Sequence, residues 1–446
     1  MKKEIVMAVF TFKGGVHPFD GKNISKIKPI VDFIPKGEMV FPVSQHIGAP
    51  AEPVVEVGDR VKAGTLIAKA GGFVSSNIYS SCSGTVKAIE PRQVVMGNMV
   101  KSIIIENDGL YEAEEPWDVR PYEELTPEEI KELVLRAGVV GMGGATFPTH
   151  VKLAPKDPDK IDYIIVNGAE CEPYLTSDYR RLMERPEKVI LGLKIVLRIF
   201  PNAKGVIAVE DNKKDAIAKL RELVKNEPRI SVCQLKTKYP QGSERHLIYA
   251  VTKRQINSSL LPADAGCIVD NVDTIYSIQR AVVDGKPLMH RIVTVTGDAI
   301  KDPRNFRVPI GTNMMDLVEA AGGFVQEPEK IIVGGPMMGN PVYHLNLPIM
   351  KGTSAITCFK TDEVAKAKQH ETHCISCGKC IDVCPSRLIP TKLADCSATR
   401  DLETFNKFNG VECVECGSCS FICPAKRNLA QSIKTMRKEA LAARRK

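Results

Sequence analysis

The chain has little of what would tie it to a bilayer or to export. Its most apolar run, Val189 to Phe200, is short and carries Lys194 and Arg198, whereas a spanning helix needs ~20 apolar residues. The start, Met1-Lys2-Lys3-Glu4, leads into a short apolar stretch without signal-peptide architecture, so a cytosolic chain is expected. Neither sign of charge dominates: the net charge is +8 over 446 residues, and the charges are mixed. That balance permits contact with an anionic membrane or an acidic protein but requires neither, and nucleic acid is not an expected partner. Tryptophan is nearly absent, with Trp117 alone. Neither G-x-x-x-x-G-K-[ST] nor G-x-G-x-x-G occurs in the glycine-rich stretch, so a P-loop and the standard dinucleotide fingerprint are missing. Glu170 and Glu172 have no paired histidine or metal motif beside them, which leaves a hydrolytic acid pair without support.

Cysteine is plentiful, at fourteen residues. In a cytosolic chain such numbers point to metal ligands rather than disulfides. Two runs carry the signal: Cys374-Ile-Ser-Cys377-Gly-Lys-Cys380-Ile-Asp-Val-Cys384-Pro385 and Cys413-Val-Glu-Cys416-Gly-Ser-Cys419-Ser-Phe-Ile-Cys423-Pro424. Each reads C-x2-C-x2-C-x3-C-P. Three closely spaced thiolates can hold three irons of one cubane, and in two-cluster ferredoxins the fourth Cys ligates the other cluster. One 4Fe–4S cluster therefore takes Cys374, Cys377, Cys380 and Cys423, and the second takes Cys413, Cys416, Cys419 and Cys384. Gly378 and Gly417 let backbone approach the cluster, and Pro385 and Pro424 turn the chain away after the last ligand. Zinc usually takes two separated C-x2-4-C pairs, which this pattern does not resemble. Cys82, Cys171, Cys233, Cys267, Cys358 and Cys396 lack the spacing and read as free, mostly buried thiols.

At ~150 residues per domain the length suggests about three domains, more if modules are small. Residues 1–40 are rich in Lys, Gly and Pro and read as an extended arm. Residues 41–106 read as all-β: two similar halves, around Val54–Ala68 and Ser81–Ile89, alternate about glycine turns and look like a biotinyl/lipoyl-type barrel-sandwich. Lys69, the only lysine near the connecting hairpin, lacks the flanks of a modified carrier lysine, so a docking or spacer role is expected. Residues 107–127 read as a linker that opens the next unit. Thr126-Pro127-Glu128-Glu129 then starts a helix, and strand and helix patterns alternate to about residue 290, which predicts α/β with a largely parallel sheet. Residues 291–350 look like a small β-grasp module. Residues 360–446 hold the cysteines and end in a basic helical tail.

The second strong feature is Gly138-Val139-Val140-Gly141-Met142-Gly143-Gly144-Ala145-Thr146-Phe147-Pro148-Thr149. Closely spaced glycines allow backbone N–H groups to approach a phosphate or a flat ring. Asn167-Gly168-Ala169-Glu170-Cys171-Glu172-Pro173 follows a buried strand, where α/β ligand sites lie. With Val269-Asp270-Asn271-Val272-Asp273-Thr274, these segments resemble the flavin-binding subunit of respiratory complex I. Phe12-Lys13-Gly14-Gly15-Val16-His17-Pro18, the barrel-sandwich, the β-grasp segment and the double cysteine cassette lie beyond that likeness. The full set resembles the RnfC family, a component of the Rnf complex, which is a membrane ferredoxin:NAD+ oxidoreductase.

The resemblance implies a multidomain α/β and α+β chain: a barrel-sandwich hybrid, a Rossmann-like FMN/NADH-binding domain over 107–290, an SLBB-type β-grasp module and a bacterial-type ferredoxin domain with two 4Fe–4S clusters. It implies that Gly141, Gly143, Gly144 and Lys152 hold non-covalent FMN, that Asn167, Glu170, Asn271 and Thr274 complete the pocket, that Phe147 stacks on the nicotinamide nucleotide and that Glu172 lines its site. Gly242 and Glu244 fall where relatives carry a G-E-E turn. Hydride from NADH would pass to FMN, and single electrons would run through the clusters to or from membrane subunits, reaching ferredoxin indirectly. No residue need act as acid or base. The place implied is the cytoplasmic face of the membrane, peripherally bound. Three positions depart from the pattern: Ala169 stands for an acid, Ser243 for an acid of the turn, and Thr146 for the third loop glycine. Two other functions fit the architecture: a cobalamin-reducing flavoprotein, and a non-catalytic iron–sulfur adaptor with a vestigial flavin site.

Overall fold

The computed structural model describes residues 9–444. The first eight residues of the arm and the terminal Arg445 and Lys446 lie outside that range. Two small sheets face each other in the first unit. One runs in the order Glu38–Pro42, Met99–Asn107, Gly84–Gln93, Arg60–Val61, and the other Glu52–Pro53, Leu66–Lys69, Ile78–Tyr79. Met39, Phe41, Ile67, Ile103 and Ile105 are buried between them. Lys69 is exposed at the end of its strand.

Thr126 opens the next unit as expected. Its hydroxyl accepts from Glu129 N at 3.3 Å, and the Glu129 carboxylate accepts from Thr126 N at 2.8 Å, so two otherwise unpaired amides of the helix Pro127–Arg136 are satisfied. The sheet behind it is fully parallel, in the order Ile230–Leu235, Lys204–Glu210, Tyr163–Gly168, Cys267–Asn271. Its strands read as near-continuous apolar runs because both faces are covered. Ile164, Val166 and Ile207 pack under Leu193, Val196, Ile275 and Ile278 of the helices Pro186–Ile199 and Val272–Val282. Ile165, Val206, Ala208 and Val269 pack under Leu247 and Ile248 of the helix Glu244–Thr252. Each such side chain contributes roughly 1.5–3 kcal/mol. With the sheet held this firmly, the carboxyl ends of Tyr163–Gly168 and Cys267–Asn271 are fixed platforms.

The third sheet has six strands, in the order Val31–Asp32, Arg304–Pro309, His290–Thr296, Ala355–Phe359, Lys330–Val333, Asn340–Val342. It reaches beyond residues 291–350 in both directions, because Ala355–Phe359 fills its centre and Val31–Asp32 adds an edge. The arm is therefore not simply extended. Phe10 bridges to Leu235, Val16 to Tyr239, Asn23–Lys26 forms a helical turn, and Val31–Asp32 pairs with Phe306 and Arg307. Phe10 and Val16 find backbone partners on the α/β unit and Val31–Asp32 on the six-stranded sheet, which satisfies groups that a free arm would leave to water. The last unit is helical: Pro390–Thr399 and Leu429–Ala443 enclose Leu393, Phe405, Ile433 and Met436.

Candidate functional site

The glycine loop begins where the helix Pro127–Arg136 stops. Gly141 N donates to Phe147 O at 2.7 Å and Thr149 N to Val139 O at 3.1 Å, closing the loop at its base. Met142 N donates to Thr274 Oγ1 at 2.8 Å, which ties the loop to the first turn of Val272–Val282. Among the described residues, the amides of Gly143, Gly144 and Ala145 donate to no chain atom. Gly143 has φ +72°, and a Cβ there would meet Asn271 Nδ2 at 2.8 Å, whereas a Cβ on Gly144 would meet open space. Thr146, the departure from the glycine pattern, sits at φ +55°. A β-branched residue is strained there, so the missing glycine is visible as backbone conformation.

Lys152 lies under the loop. Its Nζ donates to Val269 O at 2.7 Å and stands 3.3 Å from Asp270 Oδ1 and 3.7 Å from Glu244 Oε1. Burial opposes its charge, but Asp270 and Glu244 outweigh that and raise its pKa. Asp270 is buried, and neither of its carboxylate oxygens has a hydrogen-bond partner among the described residues. The opposite wall follows Tyr163–Gly168. Asn167 Nδ2 donates to Gly242 O at 2.9 Å, and its Oδ1 accepts from Ala169 N at 3.2 Å. Glu170 has φ +46°; its Oε1 accepts from Asp178 N at 2.7 Å, and its buried Oε2 has no hydrogen bond. Asp178 Oδ2 accepts from Asn271 Nδ2 at 2.7 Å, joining the two walls. Burial, then the charge of Glu170, pushes the Asp178 carboxyl up to about 7. Glu210 is likewise raised to about 7 by burial.

Lys22 of the arm, 4% exposed, reaches into this wall. Its Nζ donates to Glu170 O at 2.9 Å, Glu172 O at 2.9 Å and Leu175 O at 2.5 Å. Lys213 Nζ holds Ala169 O at 2.7 Å. Glu172 is engaged elsewhere: its carboxylate accepts from Met337 N at 3.0 Å and Met338 N at 2.8 Å, pinning a loop of the six-stranded unit. Burial raises the Glu172 carboxyl to about 7.

An FMN-type ligand suits this arrangement. Three consecutive free amides beside a lysine favour a phosphate. Among the described residues the Asp270 carboxylate is paired with Lys152 alone and the Glu170 Oε2 has no hydrogen bond, and both are acceptors for hydroxyl donors. The predicted residues Gly141, Gly143, Gly144, Lys152, Asn167, Glu170, Gly242, Glu244, Asn271 and Thr274 converge through the contacts above. Phe147 is half-buried at the base of the loop. Sequence reasoning missed Lys22, Asp178, Glu210, Lys213 and Asp270. Asp270 was adjacent to Asn271 at a strand end and could have been found; the others carry no local spacing signal.

The two cysteine runs are conformational twins. Ser376 and Glu415 are both left-handed, as are Gly378 and Gly417, and Arg387 and Lys426. Ser376 N donates to Cys374 Sγ at 3.4 Å, and Glu415 N to Cys413 Sγ at 3.4 Å. Burial, and after it the neighbouring thiols, pushes Cys413 and Cys419 up to about 12, with Cys384 among those neighbours in each case; Cys423 and Cys374 act on Cys380. Those neighbours come from both runs, so the two runs lie against each other. Thiols so disfavoured as anions suit cationic iron, which would offset the charge. Among the described residues, no three His, Cys, Asp or Glu side chains meet as a single-ion site.

The surroundings of the two sets differ. Cys374 and Cys377 are exposed, whereas Cys384, Cys416 and Cys419 are buried. Cys416 packs with Val16 and Tyr239, against Cys171 and Met337. Cys171 Sγ in turn accepts from Gly242 N at 3.3 Å. A Cβ on Gly14 would meet Cys384 O at 2.9 Å, and Gly15 N donates to Val383 O at 2.8 Å, so the glycine pair of the arm is threaded between the cysteine unit and the α/β unit. Glu412 fastens the same junction by accepting from Arg245 Nη1 at 3.0 Å and Ser258 Oγ at 2.5 Å.

Comparison with known proteins extends the geometry over the whole chain. The RnfC barrel sandwich hybrid domain matches residues 10–110, the Nuo51 FMN-binding domain 134–280, the SLBB domain 292–341 and the 4Fe-4S dicluster domain 359–427. The C subunit of the Na(+)-translocating ferredoxin:NAD(+) oxidoreductase complex of Acetobacterium woodii is 47% identical over 440 residues, covering 98% of each chain. The C subunit of the proton-translocating ferredoxin:NAD(+) oxidoreductase complex of Clostridium ljungdahlii is 46% identical over 437 residues, 97% of this chain and 94% of that one. The C subunit of the ion-translocating oxidoreductase complex of Rhodobacter capsulatus is 38% identical over 405 residues, 88% of this chain and 76% of that one. Among solved structures, a chain of an NAD+-reducing [NiFe]-hydrogenase in the air-oxidized state aligns with TM-score 0.51 and 20% identity, covering 72% of this chain and 66% of that chain, and shares the fold.

Proposed function

This chain belongs to the RnfC family of ion-translocating ferredoxin:NAD(+) oxidoreductase complexes, and from that premise we propose that it is the subunit that exchanges electrons between NAD(H), FMN and two 4Fe–4S clusters. When bound, FMN supplies both hydride exchange with NAD(H) and single-electron exchange with the clusters. The protein positions it. Lys152, Asn271 and the free amides of Gly143 and Gly144 hold its phosphate, Asp270 and Glu170 accept from its hydroxyls, and Asn167, Gly141, Gly242, Glu244 and Thr274 shape the pocket. Phe147 offers a ring for the nicotinamide nucleotide to stack on. Glu172 acts on the junction, through the Met337–Met338 loop, rather than on the nucleotide alone.

The packing of Cys416 on Tyr239 and Cys171 is the observation that carries the reading. It supports reading the set Cys384, Cys413, Cys416 and Cys419 as the inner cluster, next to the flavin wall. The set Cys374, Cys377, Cys380 and Cys423, with its exposed members, is the outer one and faces partner subunits. No described helix is long and apolar enough to cross a membrane. The membrane-complex names of the relatives support a peripheral place at the cytoplasmic face as part of the same reading. Ion movement belongs to the partners: relatives of 47% and 46% identity are named for sodium and for protons.

The test is anaerobic iron, sulfide and flavin analysis of the purified chain, followed by titration with NADH. Two cubanes give ~8 irons per chain, and NADH should bleach flavin and cluster absorbance together. About four irons would end the crossed assignment. A chain that takes up FMN but shows no bleaching with NADH would be an adaptor instead.

A further inference from the structure

A cleft of about 900 Å³ opens where the barrel-sandwich, the linker, the end of the helix Val272–Val282 and the six-stranded sheet meet. None of the flavin-site residues lines it. One wall is aromatic: Trp117 with the Arg136 guanidinium 4.7 Å above its ring, and nearby Tyr79 and Tyr111. The floor holds the cations Arg280, Lys286 and Arg307, and beside them the neutral imidazole of His290, whose pKa burial holds down at about 3.

Of the cations lining the cleft, Arg307 is paired, its Nε donating to Asp32 at 2.5 Å. Arg136 and Lys286 are exposed, whereas Arg280 is half-buried. Its side chain is 17% exposed, and it makes no hydrogen bond among the described residues. Its nearest carboxylate, Asp284 at 4.0 Å, already accepts from Lys188 at 2.7 Å and Gln279 at 2.9 Å. Beside it, His290 Nδ1 is buried without a partner. A guanidinium has five donors, and those of Arg280 open to the solvent of the cleft, where a ligand's oxygens can take them. Burial and the nearby Arg307 and Arg181 also press on its charge. The volume falls within the usual range for small-molecule sites, which pair apolar walls with a few convergent polar groups.

We propose that this cleft is a second small-molecule site, which takes a phosphomonoester carrying a planar ring, of the mononucleotide class, with the phosphate on Arg280 and His290 and the ring along Trp117. Arginine suits the phosphate because its planar fork donates twice, and a tryptophan face suits the ring.

Trp117 is the only tryptophan of the chain, so emission excited beyond the tyrosine absorption band reports on this cleft. The full chain, loaded anaerobically with clusters and FMN, is titrated with AMP, adenosine and inorganic phosphate to about 10 mM, with equilibrium dialysis of labelled AMP in parallel. The expected result is a saturable Trp117 change with AMP and a weaker one with either fragment. Arg280→Met should weaken AMP at least about tenfold, Arg280→Lys should recover part of that loss, and the KM for NADH should stay unchanged in both. A flat titration with no dialysis signal overturns the proposal. So does equal affinity for adenosine and AMP, or AMP binding that is undiminished in Arg280→Met.

Discussion

Replacing Lys22 by methionine should loosen the arm and the flavin wall together. Methionine fills much of the same space but removes three donors. The carbonyls of Glu170, Glu172 and Leu175 would then be left without their ammonium, in a site where Lys22 is 4% exposed. A buried acceptor without a partner costs ~1–3 kcal/mol, and breaking a buried charged set costs about 3–5 kcal/mol. Water entering beside the arm would repair part of this, so an opening cost lower by ~3 kcal/mol is expected. That raises the open fraction of the arm roughly a hundredfold. Cleavage by chymotrypsin after Phe19, which is exposed but held in a docked segment, reports that fraction while closing is faster than cleavage. The cleavage rate should rise by a similar factor, and retained FMN should fall because Glu170 loses its anchor. Lys36, exposed in the same arm, supplies the control. A Lys22→Met rate within about threefold of the parent, or an equal effect of Lys36→Met, would show that the three bonds do not hold the arm.

Thr146→Gly should relieve the left-handed strain at φ +55° and tighten FMN by roughly fivefold, about 1 kcal/mol; weaker flavin binding by equilibrium dialysis would contradict that. With Cys416→Ala, NADH should reduce neither cluster, whereas with Cys377→Ala the inner one should still reduce; paramagnetic resonance during an NADH titration separates the two, and the reverse pattern would invert the order. Asp178→Asn should remove a pH-dependent loss of stability. Burial, then the charge of Glu170, holds the Asp178 carboxyl up at about 7, while an unfolded carboxyl titrates near ~4, so the folded state keeps a proton that the unfolded state has lost and this contribution declines until pH passes about 7. Buried His246 and His290, held down at about 4 and about 3, act in the opposite sense, so variant and parent are compared at each pH. The urea midpoint of Asp178→Asn minus that of the parent should grow between pH 5.5 and 7.5, and a constant or shrinking difference would refute it.

Local chemistry was readable in advance. The cysteine spacing, the Thr126–Glu129 capping box and the glycine loop each state their geometry within a dozen residues, and the structure forms all three. Gly143 and Thr146 even show why glycine was expected at their loop. What could not be read came from distance along the chain. Lys22 meets Glu170 and Leu175 only after the arm has crossed two units, and nothing around Lys22 differs from any surface lysine. The same holds for Val31–Asp32, which looks like part of a linker until Phe306 and Arg307 offer it a parallel edge. Glu172 was legible as a site residue, but its engagement with Met337 and Met338 needed a loop from another unit. Asp178 sits in the first turn of a helix, where an acid is ordinary, so its role in joining the two walls had no separate mark.

The twin cysteine runs, alike in ligand spacing and in backbone conformation, stand in unlike media, one exposed at Cys374 and Cys377 and the other packed beneath Tyr239 and Met337. A cubane held by four thiolates gains negative charge when reduced, and water stabilises the more highly charged state. Equal ligands in unequal solvent therefore give unequal midpoint potentials, the wetter site being the easier to reduce. The difference in potential between the two is set by what lies against the ligands, and a single exposed polar group placed at Met337 would flatten it without touching a cysteine.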